Sequence, residues 1–326
     1  MVLKIKNIRG ESENVRATVF QPFCGMQLQL MGTRFEFLPH PLFPEDRQTV
    51  FVLEGGTSFI YKVRNVITQQ LCALKVFKRD SRNEHVAQVT ALLARYTHLT
   101  ALRPEQRLCI TKNLYPELVE MYPEMEFAIL MPWISTPTWA GMLLNPQVSA
   151  TYTREQACDL ARATAGALWS LEAQGLAHAD VAGSNLVPSL DRKQVQLLDI
   201  EDMYIPGMPP PPRLSQGSPG YQHARLGPSG QWCPEGDRFA GAVLLTEMLT
   251  WWNPLVRARV ADRSETLFRP EELQISGTPC WQAVRDTLYT LNPKLLALFD
   301  QAWFSRTLLD CPPLRDWATA LLSDCS

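Results

Sequence analysis

The sequence predicts an α+β chain of two lobes, a small antiparallel sheet with one helix followed by a larger, mostly helical part. Three observations predict it. Residues 50–77 alternate with period two and are rich in β-branched and aromatic side chains, interrupted only by a glycine pair. Residues 154–174 place Ala157, Leu160, Ala161, Thr164, Ala165, Leu168 and Leu171 at three- and four-residue spacings, the period of an amphipathic helix. Residues 237–252 are almost wholly apolar, which predicts a helix buried on every side.

In chain order, residues 1–48 form an extension in which Gln27–Leu30 and Arg34–Phe37 alternate like strands before a proline-marked stretch. Residues 49–134 form the small lobe and its connection. Three strands occupy 50–77, and a helix is expected over 83–96, capped by Ser81 or Asn83, with Val86, Val89, Leu92, Leu93 and Tyr96 on its apolar face. Glu126–Met131 reads as a buried strand leading into Pro132-Trp133-Ile134. Residues 135–326 form the larger lobe. Its first long helix ends at Gly175 as a C-cap, and further helices are expected at about 279–304 and 314–323. The low-complexity run Pro206–Pro212 predicts an extended polyproline segment.

At 326 residues and 46% hydrophobic content, the chain can bury one large core or two moderate ones. A net charge of −2, with no run of basic residues, argues against a general nucleic-acid or anionic-membrane binder. The eight cysteines show no C-x-x-C spacing and lie in apolar segments, so they read as reduced core thiols. Residues 1–6 lack a continuous apolar run, and no stretch of eighteen apolar residues follows, which predicts a cytoplasmic protein.

The chemistry is concentrated in Ala177-His178-Ala179-Asp180-Val181-Ala182-Gly183-Ser184-Asn185, followed by Leu186-Val187 and by Leu197-Leu198-Asp199. An aspartate, an asparagine five residues later and a second aspartate beyond a buried run are the groups that phosphoryl transfer from a magnesium nucleotide requires. Upstream, Val52–Val63 alternates around Gly55-Gly56, and Cys72–Phe77 is a short strand carrying Lys75. Small residues at a hairpin tip let backbone N–H groups approach phosphates, and a lysine supplies a point charge. A strand-edge lysine is the commoner case, but the apolar neighbours Ala73, Leu74, Val76 and Phe77 favour a buried, partnered ammonium. Asp199 has the simpler reading of a residue that ends a strand in a turn, and Asp180 that of an Asx-turn residue. Downstream, Gly217–Arg225 precedes Asp237 by the length of one loop.

In that order these segments resemble the catalytic loop, glycine-rich loop, V-A-I-K strand and A-P-E segment of the protein-kinase-like superfamily, in a divergent bacterial serine/threonine form, over roughly residues 49–320. The resemblance implies a bilobal protein-kinase-like fold and an ATP- and Mg2+-dependent enzyme that phosphorylates serine or threonine hydroxyls of a protein substrate. It implies Asp180 as base, Asn185 and Asp199 as metal ligands, and Lys75 on the α and β phosphates. The nucleotide would be contacted by Leu53, Gly55, Gly56, Thr57, Ser58, Ile60, Ala73, Met131, Pro132, Ile134 and Val187. Pro132 lacks an N–H, but the family uses only the carbonyl there, and the next donor and acceptor fall to Ile134. Glu84 or Gln88 is the candidate partner of Lys75. His178 is expected to brace the metal-binding segment, and Asp237 to hold the catalytic loop by its backbone.

Departures from the family pattern point to alternatives. Leu53, Ser58 and Ile60 stand where glycines or valine are marked, and Ala179 and Ala182 replace an arginine and a lysine. D-F-G is Asp199-Ile200-Glu201, and A-P-E is His223-Ala224-Arg225, whose glutamate is lost together with the arginine expected near Cys311-Pro312. Removing both members of a buried pair can be nearly neutral, whereas one charge left alone costs about 3–5 kcal/mol. A pseudokinase that binds nucleotide or a regulatory partner without turnover is the second reading. A kinase-fold enzyme acting on a small molecule or transferring AMP is the third.

Overall fold

The computed structural model describes residues 20–46, 48–260 and 266–323; the first nineteen residues of the extension and the N-terminal stretch read for targeting lie outside them. The chain is α+β and falls into two compact units, one of residues 1–87 and 106–133, the other of residues 88–105 and 134–326.

The first unit is built on a curled antiparallel sheet. Its strands are β1 (Gln27–Leu30), β2 (Thr33–Phe37), β3 (Val52–Glu54), β4 (Ser58–Asn65) and β5 (Leu71–Phe77), joined after the start of helix α1 (His85–Leu93) by β6 (Leu108–Cys109), helix α2 (Pro116–Met121) and β7 (Ile129–Pro132). The order is β1-β2-β4-β5-β7-β6, with β3 also pairing β4. Alternation decides which face each residue takes: Leu28 and Leu30 are buried between exposed Gln27 and Gln29. Met31 and Gly32, both at positive φ, make the two-residue turn between β1 and β2, a geometry matched to strand twist. Because β2 pairs with β4, the described strands of the extension belong to this sheet. The core gathers Leu74, Val76 and Leu130 with the aromatic cluster of Phe20, Phe37, Tyr61 and Tyr122.

Two elements are shorter here than the sequence predicts. Helix α1 spans His85–Leu93 rather than 83–96; it is capped by Asn83, whose side chain accepts from the His85 N–H at 3.0 Å, and Tyr96 already lies in the following turn. The strand expected over 126–131 begins only at Ile129, because Phe127 has φ +64° and breaks the extended run. Residues 88–105 group with the second unit, and Val89, Leu93, Leu99 and Leu102 belong to its larger core.

The second unit contains α3 (Trp139–Leu143), α4 (Pro146–Thr151), α5 (Arg154–Glu172), the hairpin β8 (Leu186–Ser189) and β9 (Gln194–Leu197), then α6 (Arg238–Thr250), α7 (Pro254–Arg257), α8 (Pro279–Leu291), α9 (Pro293–Trp303) and α10 (Leu314–Ser323). Thr153 and Gln156 form a capping box that starts α5. Gly175, at φ +70°, ends it, and the Leu176 N–H closes back on Leu171 O at 3.0 Å. Helix α6 is buried at every residue from Phe239 to Thr250 and forms the axis of the core. Glu172 ties three helices together, accepting from Arg238 at 2.6 Å and from the Leu314 N–H at 2.9 Å. The helical stretch 279–304 divides at Pro293, and Asn292 caps the second piece. The proline-rich run is not extended throughout: Met208 N–H bonds Ile205 O and Gly207 has φ +78°, so it begins with a turn.

Among the described residues no helix is long and apolar enough to cross a membrane. The seven described cysteines are free thiols, five of them buried. Burial pushes the thiols of Cys109 and Cys280 up to about 12.

Candidate active site in the loop around Asp180

Helix α5 delivers the chain into the loop that carries Asp180, and the loop is fixed from below by Asp237. This buried carboxylate, at the start of α6, accepts from the backbone N–H of His178 at 2.6 Å and of Ala179 at 2.8 Å. Burial pushes its carboxyl up, opposed by the neighbouring His178 and by those two donors. The grip holds Ala179 at φ +64°, a region costly for a residue with a Cβ, so the surrounding bonds over-determine the turn. His178 is 1% exposed and its Nε2 lies 2.6 Å from Leu198 O; the carbonyl only accepts, which places the ring proton on Nε2. The histidine therefore links this loop to the segment before Asp199.

The hairpin register completes the link. Leu186 pairs with Leu197, and the Leu198 N–H donates to Asn185 O at 2.8 Å, so Asn185 and Asp199 leave neighbouring strands at the same end. Asp199 is exposed at φ +52° and opens a short 3-10 turn through Asp202. The side-chain amide of Asn185 donates to Asp180 twice, to its backbone oxygen at 2.9 Å and to Oδ2 at 3.0 Å. The other carboxylate oxygen, Oδ1, accepts from Ser218 Oγ at 2.8 Å. Asp180 thus sits between an amide and a hydroxyl, with Asp199 anchored one residue beyond a hydrogen bond to Asn185. Val187 is buried in β8.

Two residues of this neighbourhood were not legible as site residues in the sequence. Ser218 meets Asp180 from 38 positions away. Glu247, fully buried in α6, accepts from Trp139 Nε1 at 2.6 Å, from Tyr221 Oη at 2.8 Å and from the Leu267 N–H at 2.5 Å. Burial outweighs these donors and pushes its carboxyl up to about 7. A lone acid inside an otherwise apolar helix was the available signal. Gly183 lies against this hub, where an added Cβ would come 2.9 Å from Tyr221 Oη and 3.0 Å from Trp139 Cδ1.

The far end of the 217–225 segment is held differently. His223 Nδ1 lies 3.0 Å from both the backbone nitrogen and the carbonyl oxygen of Arg225, and its Nε2 lies 3.2 Å from Gln274 Nε2 and 3.1 Å from Ser305 Oγ. Cys311 Sγ approaches the same hydroxyl at 3.2 Å, and Ser305 Oγ donates to Ala302 O at 2.6 Å. Burial holds His223 below the usual histidine range, so this chain of contacts is neutral near pH 7.

In the first unit the register aligns the remaining candidates. Leu53 pairs with Ile60, Ile60 with Lys75, Lys75 with Ile129, and Ala73 with Met131, which puts Leu53, Ile60, Ala73, Lys75 and Met131 on one face of the sheet, opposite Leu74 and Leu130. Lys75 is 4% exposed, its Nζ 5.3 Å from the centre of the Phe77 ring. Gly55 and Gly56 form the tip with Thr57, and Ser58 is buried at the start of β4. Neither glycine has a positive φ, and a Cβ at Gly56 would meet nothing within 4 Å, so hairpin folding does not itself require glycine there. Pro132 is tolerated because the next residue, Trp133, supplies the N–H to Leu71 O at 3.0 Å. Ile134 begins the next part of the second unit. Glu84 and Gln88 are both exposed, and the inward positions on that turn of α1 are His85 and Val86.

Among the described residues no group of three or more His, Cys, Asp or Glu side chains is arranged to hold a metal by itself. No protein-family model and no curated protein matches this chain.

Proposed function

We propose that the chain has a protein-kinase-like fold and transfers the γ-phosphoryl group of ATP, with magnesium, to serine or threonine hydroxyls of a protein. What carries this reading is the environment of Asp180: one carboxylate oxygen bonded to an amide and the other to a hydroxyl, within hydrogen-bond reach of the proton a base must take. In this reading Asp180 receives the proton of the attacking hydroxyl. His178 and Asp237 position it, the first through Leu198 O and the second through two backbone N–H groups.

The donor set suits a hard divalent cation. Asn185 uses its amide N–H groups on Asp180, which turns its carbonyl oxygen to other partners, and Asp199 contributes an exposed carboxylate from the adjoining strand end. These two residues would hold magnesium, which when bound neutralises charge on the phosphates. Lys75, from the Leu53–Ile60–Ala73–Met131 face, would contact the phosphates, and the two glycines at the hairpin tip would let backbone N–H groups approach them.

A second reading, a nucleotide-binding pseudokinase, is favoured by Glu201. It stands 3% exposed two residues after Asp199, adding an acid where the reading needs attraction for phosphate, and buried Ala182 supplies no cation beside Asp180. Titration with ATP, with and without magnesium, separates the readings. Metal-dependent binding that is weakened by Lys75→Met and Asp199→Asn, together with phosphate transfer, supports the enzyme. Binding without transfer supports the pseudokinase, and no binding under either condition removes both.

A further inference from the structure

We propose that this chain associates with itself head to tail: the knob formed by Leu42 and Phe43 of one copy enters the cavity between α7 and α8 of the next. The inference is independent of the phosphotransferase reading, since neither surface includes a residue assigned to phosphoryl transfer.

The knob is an apolar tip held out by a fixed turn. Leu42 is 76% exposed and Phe43 57% exposed, between Pro41 and Pro44. The Phe43 N–H donates to His40 O at 2.9 Å and the Asp46 N–H to Phe43 O at 3.1 Å. The Phe43 ring packs on His40, which stacks in turn on Phe51. Two adjacent large apolar side chains, so exposed on so fixed a turn, mark a contact surface. Two acids, Glu45 and Asp46, follow directly and are both exposed. Asp46 accepts from Thr49 Oγ1 at 2.6 Å and from the Gln48 N–H at 2.8 Å, bonds that hold its carboxyl below the usual range and keep it charged.

The cavity matches the knob in size, chemistry and charge. Its volume is about 430 Å³, and Trp252, Leu255, Ala283 and Thr287 are among its walls. That lies within the roughly 300–1,000 Å³ of cavities that seat whole small ligands, so two side chains have room. The polar groups of the walls are already committed inside the chain: Trp252 Nε1 to Leu249 O at 2.8 Å, Thr287 Oγ1 to Ala283 O at 2.7 Å and Thr290 Oγ1 to Asp286 O at 2.8 Å. An apolar occupant therefore leaves none of these donors without a partner. Asp286 accepts from Gln282 Nε2 at 2.8 Å, whereas Arg259, which also lines the cavity, is exposed and has no carboxylate partner among the described residues. The open charge of the cavity is positive, and the charge that follows Phe43 is negative. Because the two surfaces differ, each copy in a pair keeps one knob and one cavity free, and association continues into a ring or a filament.

The test is analytical ultracentrifugation of the full chain from micromolar to millimolar concentration, where the mean mass should rise with concentration and fall back as salt is added. Phe43→Ser and Ala283→Glu should each weaken association on the order of tenfold or more, as loss of a buried apolar anchor does, with thermal unfolding unchanged. Leu255→Ser, at a position 68% exposed, is a second cavity variant should Ala283→Glu fold poorly. Mixing Phe43→Ser, which keeps its cavity, with Ala283→Glu, which keeps its knob, should give a one-to-one pair that grows no further. Glu45→Arg and Arg259→Glu should each weaken association, and the two together in one chain should restore it. A chain that stays monomeric throughout overturns the inference, whatever other protein either surface then binds. Association that ignores Phe43→Ser and both cavity variants also overturns it, and so does a mixture that forms no pair, because the contact is then between like surfaces.

Discussion

The two ends of the segment from Gly217 to Arg225 are held by opposite kinds of chemistry. At the front, Ser218 and Tyr221 are bonded to the carboxylates Asp180 and Glu247, one half-buried and one fully buried. At the back, His223 reaches Ser305 and Cys311 through contacts that carry no charge near neutral pH. A buried charge is costly unless several donors surround it, and Glu247 has three, whereas the back end has dispensed with charge altogether. Titratable carboxyl groups hold the front end, one of them beside the proposed phosphoryl transfer, and the back end is fastened without them. The difference teaches where pH and substitution should matter.

The largest effect should come at Asp180. Asp180→Asn keeps the shape and hydrogen-bonding size of the side chain but not its basicity, so phosphate transfer should fall roughly 10²- to 10⁴-fold, with the melting temperature little changed. Radiometric transfer assays and thermal unfolding of the same preparation check both halves of that statement.

Next comes the pH dependence at Glu247. Its carboxyl sits at about 7 in the folded protein against 4.5 for a free glutamate, so the neutral form is favoured by folding. That contribution is complete below pH 4.5 and is lost as pH rises through about 7, at about 1.4 kcal/mol for each pH unit between them, or about 3 kcal/mol in all. Denaturant unfolding of wild type and Glu247→Gln from pH 5 to pH 8 should show the wild type losing this stability relative to the variant. Parallel curves would mean that burial does not raise the Glu247 carboxyl.

Gly183→Ala should follow. The new methyl would meet two aromatic side chains that are themselves fixed on Glu247, and overpacking of this kind costs about 1–3 kcal/mol. The denaturation midpoint should drop without a change in the slope of the transition. The smallest effect belongs to the back end: Ser305→Ala removes a hydroxyl shared by His223 and Cys311, and should cost about 1 kcal/mol. If Ser305→Ala proved as costly as Gly183→Ala, the contrast between the two ends would be lost.

Much of the architecture is legible in the sequence because period carries it. Leu28 and Leu30 alternate with glutamines, and α5 repeats its apolar residues at helical spacing between a capping box and Gly175. Boundaries are less legible, because they depend on single backbone angles: Phe127 delays the start of β7 by adopting positive φ, which its side chain gives no reason to expect. The candidate site divides in the same way. Asp180, Asn185 and Asp199 are found from their spacing, since five residues and a hairpin bring them to one end of two strands. Ser218 and Glu247 are not, because their roles arise from contacts across dozens of residues that no local pattern encodes. Glu84 and Gln88 are both exposed around the first turn of α1, whose inner side is taken by His85 and Val86.

The most direct measurement is transfer of label from γ-labelled ATP by wild type, Asp180→Asn and Asp199→Asn, prepared and assayed side by side in magnesium. Incorporation by the wild type and its loss in both variants, each still folded by circular dichroism, is the expected result. Equal incorporation in all three would contradict the assignment of Asp180 and Asp199 to phosphoryl transfer.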